Sequence, residues 1–349
     1  MRKRIIICSD GTWNRPDQKE EGVEAPTNVV KFARALKQCT QDGILQVVFY
    51  NYGVGTGNAW DRFIGGALGA GLSDKIIEAY RFIVLNYEPG DELYFIGFSR
   101  GAYSVRSLAG MIRNCGILKK ARADMVDEAF ALYQDRADDA RPDGPRSVQF
   151  RKDYAMECHI KFIGVWDTVG SLGIPIRKFR WIGRKNFDFH DTKLSGRVEN
   201  AFQAISIDEC RRPYEAAVWD RDADDNNNVE QVWFAGVHGD IGGGNVDTGL
   251  SNIALRWMID RASVFLEFDS DYLDNLDRCP DTNYAAPMGN SKAWMEFLFG
   301  KLKRRIGRCR YGNEKIHHSA SRRLNEKIDD YAPENLNKAL DAGIEVTSD

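Results

Sequence analysis

Short apolar runs rich in β-branched and aromatic residues recur along this chain, and between them apolar positions repeat at helical spacing. Arg4–Cys8 reads as a strand and runs into a loop holding Gly, Asn and Pro. Asn28–Gln38 reads as a helix, with Val29, Phe32, Ala33 and Leu36 on one face and Thr27 as its cap. Leu45–Tyr50 is strand-like, and Asp74–Tyr87 is a helix with Ile76, Tyr80, Ile83, Val84 and Tyr87 in register. Leu93–Ile96 follows a Pro89-Gly90 turn as a further strand, then Val105, Leu108, Ala109 and Ile112 mark a helix. His159–Trp166 and Val229–Val237 complete the apolar strands. Strands alternating with helices predict an α/β fold with a mainly parallel sheet covered on both faces.

Polar insertions fall at Asp135–Arg151 and Arg177–Asp191, and recognisable elements resume after each. With no internal repeat or low-complexity tract, residues 1–349 are expected to form a single domain. Its core would span about 1–265, and a C-terminal helical extension about 266–349.

The chemistry concentrates at Gly97-Phe98-Ser99-Arg100-Gly101. Five loosely constrained positions carry little information alone, but this set lies between a predicted strand and a predicted helix. That context is the one a nucleophile elbow requires, a sharp strained turn lifting a serine out of the sheet. A serine hydroxyl needs a base to take its proton. Of the five histidines, His238 follows the strand QVWFAGV and opens the turn HGDIGGG, which puts it at the carboxyl edge of the sheet with Ser99. His159 begins a strand and so belongs at the other edge, while His190, His317 and His318 sit in polar or helical sequence.

The orienting carboxylate is assigned to Asp167, at the end of KFIGVWD, because parallel sheets place function at the carboxyl ends of their strands. Its competitor is Asp220, since AAVWD (216–220) also reads as a strand. Only RDADDNNN separates that strand from the one before His238, which predicts an antiparallel hairpin. Asp220 would then lie at the far end of its partner, nine residues from His238 at about 3.3 Å each. Asp208 and Asp240 are weaker candidates. An oxyanion needs backbone donors, here the amide of Arg100 and that of Gly11 or Thr12 in the loop SDGTWN, with Asp10 shaping that loop. A strand followed by DGT also resembles the first motif of haloacid-dehalogenase-type phosphatases. Those enzymes need an aspartate two residues before the DGT aspartate, where this chain has Cys8.

Composition removes several alternatives. A net charge of −3 carries no global basic field, so nucleic acid is not an expected partner. Seven scattered cysteines without a CxxC pair suit reduced thiols better than a disulfide frame or a zinc site. No metal or organic cofactor is called for. The glycines Gly53, Gly55 and Gly57 match no GxxxxGK[ST] phosphate loop. The apolar run after the basic N-terminus stops at Cys8, too short for a signal peptide, and no stretch approaches the roughly 18 residues of a membrane span. A cytoplasmic protein is expected, and export would need a route that reads no such leader.

With these residues in view, the chain resembles the uncharacterised α/β-hydrolase domain shared with the first class of type VI secretion phospholipase effectors. The segments that carry the resemblance are SDGTWN, YGVGTG, GGALGAGLSDKIIEAYRF, GDELYFIGFSRGAYSVRSLAGMI, FIGVWDTVGSLG, IDECRRPY, VWFAGVHGDIGGG and LSNIALRWMIDRA. It implies an α/β-hydrolase fold and a Ser-Asp-His hydrolase whose motifs land on Ser99, Asp167 and His238, in the chain order of that fold. It further implies phospholipase A-type cleavage for the effector members. Such effectors usually carry further sequence for membrane or partner docking, so the hydrolase chemistry is expected to transfer further than the effector role.

The expected substrate is a lipid or other carboxylic ester, with a small ester or neutral lipid as the enzymatic alternative. A non-catalytic protein binding a lipid or a secretion partner is the alternative of another class. Ala59–Leu72, small and glycine-rich, could line an acyl site or pack against a neighbouring helix. WMEFLFGKLKRRIGRCR (294–310) reads as a basic amphipathic helix, of a kind that docks on its own domain or lies on an anionic membrane.

Overall fold

Apolar runs with no polar face need cover on both sides, and the fold supplies it. The computed structural model describes residues 2–12, 14–53, 67–170, 194–220, 228–278, 283–289, 300–309 and 313–348. Among these, seven strands form one parallel sheet: β1 (Lys3–Ser9), β2 (Leu45–Asn51), β3 (Glu92–Phe98), β4 (Ile160–Trp166), β5 (Val198–Ser206), β6 (Asn228–Phe234) and β7 (Glu314–Ile316). The helices that matter below are α1 (Asn28–Ala35), α2 (Ala67–Asn86), α3 (Arg100–Cys115), α4 (Val126–Gln134), α5 (Pro145–Tyr154), α6 (His238–Gly242) and α7 (Gly249–Ser263). α8 (Ser270–Arg278), α9 (His318–Asn325) and α10 (Glu334–Asp341) follow. None of the described helices is long and apolar enough to cross a membrane.

Side chains alternate across the sheet with the period of two that a strand imposes. Ile5, Ile7, Leu93 and Phe95 face a core formed with α2, α3 and α4, whereas Ile6, Cys8, Tyr94 and Ile96 face α1 and α7. A third apolar cluster joins Ile205 and Trp233 to Ile306, Ile316 and Leu336 of the C-terminal residues.

Strand order is β7-β6-β5-β4-β3-β1-β2. The chain leaves β1 for one edge, then returns to the other side of β1 and proceeds strand by strand to the opposite edge. The loops after β1 and β3 therefore diverge, and a crevice opens at the carboxyl ends of these neighbours. Open α/β sheets bind ligands at such a switch point.

Several expectations are corrected. α1 ends at Ala35 rather than Gln38, because Leu36 turns extended and bridges Phe268. α2 begins seven residues before Asp74; glycine lowers helix propensity by only about 1 kcal/mol, which packing can outweigh. Residues 216–220 form no strand, and the expected hairpin does not exist. β6 instead pairs in parallel with β5, a buried strand that the sequence reading passed over, and on its other side with β7. The C-terminal residues thus contribute a strand as well as helices. Residues 300–309 are not helical either: Lys301, Lys303 and Arg305 are exposed while Arg304 and Ile306 are buried, the period of an extended chain. Their backbone pairs with the 210–212 segment, Leu302 N donating to Cys210 O at 2.7 Å. Arg177–Asp191, the 221–227 loop, residues 59–66 and the aromatic run 294–299 lie outside the described residues.

Candidate active site

The turn after β3 has the strain its motif implies. Ser99 sits at φ 57°, ψ −122°, a region that non-glycine residues rarely occupy. Two close approaches hold it there. A Cβ on Gly101 would come within 2.1 Å of the Ser9 carbonyl oxygen, and one on Gly97 within 2.7 Å of the Ala102 Cα. Backbone cannot give way at either point, so both positions exclude a side chain. The Ser99 amide donates to Trp166 O at 3.0 Å, tying the turn to β4. α3 starts directly behind, and its N-terminal amides and dipole favour negative charge beside the serine.

Ser99 Oγ lies 2.8 Å from His238 Nε2, and His238 Nδ1 lies 2.5 Å from Asp167 Oδ2. These three side chains, predicted from separate motifs, meet in one line. All are nearly enclosed: Ser99 and His238 are 7% exposed and Asp167 is fully buried. His238 opens α6, its ring between Phe98 (centroids 4.7 Å apart) and the edge of Tyr214 (4.9 Å). Its amide donates to Glu209 Oε2 at 3.3 Å, and the same carboxylate accepts from Arg211. Burial works to raise the Glu209 carboxyl, but the Arg211 guanidinium outweighs it and holds the group below its ordinary value.

Asp167 closes β4 with Oδ1 accepting from Ser206 N at 3.0 Å and from Arg304 at 2.5 Å. Oδ2 takes a second Arg304 nitrogen at 2.9 Å in addition to His238. Burial alone would raise this carboxyl; the Arg304 guanidinium and His238 more than reverse that, so Asp167 stays well below the carboxylate range. Sequence reasoning missed Arg304, Glu209 and Tyr214. Glu209 and Tyr214 lie in IDECRRPY, whose run of polar residues after an unrecognised strand was the available signal. Arg304 had none: it is one of several cations in a segment read as a helix.

The loop after β1 reaches the serine, since a Cβ on Gly11 would lie 3.2 Å from the Ser99 Cβ. The Gly11 amide is engaged by Asp10 Oδ1 at 2.7 Å. Asp10 also accepts from Thr27 and Tyr50 hydroxyls, each at 2.6 Å, so it braces the loop; burial raises its carboxyl despite these donors. Asp208 accepts from Gly236 N at 2.7 Å and Tyr331 Oη at 2.9 Å, and Asp240 from Val237 N and Gly289 N. These two shape the turn around His238 from outside. The carbonyl of Asp220 accepts from Leu194 N. His159 precedes β4 at the sheet's amino edge. His317 stacks on Phe234 at 4.4 Å, and burial pushes it down to about 3. His190 lies outside the described residues.

Comparison with known proteins places the chain in a family. An uncharacterized protein of Saccharomyces cerevisiae is 30% identical over 230 residues, which cover 60% of this chain and 31% of that protein. The chain therefore spans under a third of its relative's length. A solved structure of an uncharacterized protein from Pseudomonas aeruginosa matches 75% of this chain and 45% of its own at 17% identity, with a TM-score of 0.43. The Tle1 effector, solved bound to the VgrG spike of the type 6 secretion system, matches 70% and 51% at 20% identity and a TM-score of 0.40. The family model for the type VI secretion phospholipase effector Tle1-like catalytic domain matches residues 3–261, and the chain belongs to that family.

Proposed function

We propose that this protein is a serine hydrolase of carboxylic esters, with glycerophospholipid as its substrate and phospholipase A-type cleavage as its reaction. The observation that carries the reading is the unbroken line Ser99 Oγ, His238, Asp167, at 2.8 and 2.5 Å, with the serine on a strained strand-to-helix turn. Ser99 Oγ attacks the acyl carbonyl carbon while His238 Nε2 takes its proton. The tetrahedral oxyanion meets the Arg100 amide at the start of α3 and an amide of the Gly11–Thr12 loop. Because the Gly11 amide already serves Asp10, Thr12 is the better second donor. Collapse expels the alcohol, which leaves with the proton from His238. Water then gives a proton to His238 and attacks the acyl-enzyme; His238 passes that proton to the departing Ser99 Oγ, which releases the fatty acid and restores the free enzyme. Asp167 orients the imidazole and balances its charge. Membership of a phospholipase effector family supports the lipid substrate. Exposed Lys301 and Arg305, on the segment that bears Arg304, would meet anionic headgroups.

The test compares wild type with Ser99→Ala on a short-chain chromogenic ester and on phospholipid vesicles. Equal rates in the two proteins would dispose of the enzyme and leave a lipid- or partner-binding role. Serine-dependent turnover of the soluble ester but never of vesicles would replace the phospholipase with a small-ester or neutral-lipid hydrolase.

A further inference from the structure

Asp167 is gripped more firmly than an orienting carboxylate needs to be. Arg304 reaches it with both terminal nitrogens, at 2.5 and 2.9 Å, and the same two nitrogens also donate to the carbonyls of Ser206 and Tyr214. Its side chain is 2% exposed, opposite a fully buried partner. The backbone bearing it is fixed on both sides. Leu302 N donates to Cys210 O; Ile306 is buried in the third cluster; Gly307 N and Cys309 N both donate to Glu314 at the start of β7. Arg304 thus enters the site from a segment beyond residue 261, where the family match ends.

A guanidinium fork engages a carboxylate in one plane and one orientation, whereas an ammonium makes a point contact that leaves the carboxylate free to turn. The last side-chain torsion of aspartate is otherwise broad, so the plane of its carboxylate is set by the groups it bonds. We propose that Arg304 is a positioning residue of the hydrolase: its two-point grip sets the Asp167 plane so that Oδ2 faces His238 Nδ1, and the C-terminal segment thereby completes the site. The inference rests on the serine-hydrolase reading above.

The experiment measures how fast a fluorophosphonate probe modifies Ser99 in the full chain. Intact mass gives the rate, and circular dichroism corrects it for the folded fraction. Arg304→Gln is expected to slow labelling by about 10²-fold and Arg304→Lys by about 10-fold, the scale of a small misplacement of a reacting group. In an Asp167→Asn background the same substitutions should cost under about threefold, because a residue that acts through Asp167 has nothing left to position. The double variant also removes both charges, which keeps the comparison open if Arg304→Gln alone folds poorly. Labelling of folded Arg304→Gln and Arg304→Lys at the wild-type rate overturns the inference, as do equal losses in both backgrounds, the mark of a purely structural residue. A wild type that labels no faster than Ser99→Ala defeats the hydrolase reading, and this inference with it.

Discussion

Ser99 and Asp167 are held in place by contrasting means. The serine's conformation is set within a five-residue motif, where Gly97 lets β3 and α3 close around it, Gly101 lets α3 approach β1, and a strained φ turns the hydroxyl toward His238. The aspartate follows its strand without a motif, and its donors come from Ser206, His238 and Arg304, 39, 71 and 137 residues away. The first arrangement depends on what is missing from the sequence, namely side chains at 97 and 101. The second depends on tertiary packing that brings a β5 amide, the α6 imidazole and a C-terminal guanidinium to one carboxylate. A local device fails when its own residues change, whereas a distributed anchor also fails through distant ones.

The largest expected effect breaks the local side. Ser99→Ala should reduce ester turnover by about 10⁴-fold or more with its urea unfolding midpoint unchanged, since only the nucleophile is lost. Next, Asp167→Asn should cost about 10³–10⁴-fold in kcat and, by leaving Arg304 buried without its counter-charge, also destabilise the fold by about 3 kcal/mol. That joint loss distinguishes the anchor from the elbow. Asp220→Asn should leave turnover within a factor of about two, and loss in Asp220→Asn but not in Asp167→Asn would overturn the assignment of the acid.

Gly101→Ala tests the local side through stability. Its Cβ would meet backbone oxygen, and a cost of about 2–3 kcal/mol is expected in urea unfolding. The smallest effect tests the distributed side through pH. Burial pushes the Asp208 carboxyl up to about 6, above its unfolded value, while it holds Gly236 N ahead of His238. For an acid whose pKa is raised on folding, the neutral form is favoured. No penalty arises below the unfolded pKa of about 3.9, and stability is lost as pH climbs through about 6. Asp208→Asn mimics the neutral form, so its stability relative to wild type should improve by about 2 kcal/mol between pH 4 and pH 7.5. A constant difference across that range would show that Asp208 does not titrate there.

The comparison also explains what could be read from the chain in advance. β1, β3 and β4 announce themselves because their nearly unbroken apolar runs have few other places to go, and β2 and β6 because an apolar run fills the second half of each. Ser99 and His238 follow from position, each on a glycine-bearing turn after a strand. β5 went unread because Glu199, Asn200 and Gln203 interrupt its apolar run, although Gln203 is buried and bonded to Arg106 and Thr168. Missing that strand produced the false hairpin at 216–220. Arg304 lies in a stretch whose residues fit a helical wheel as well as they fit the alternation of an extended chain, and only partners elsewhere decide between the two.

The amino-acid sequence by itself determined the alternation of strands and helices, the sharp turn that carries Ser99 and the placement of His238 past the end of a strand. Each depends on side-chain size and polarity over a few neighbouring residues. Tertiary structure alone decided that β5 separates β4 from β6, that Asp167 rather than Asp220 meets the imidazole, and that a C-terminal arginine closes on that carboxylate. Those outcomes come from contacts across tens to more than a hundred residues, whose geometry exists only once the sheet has assembled.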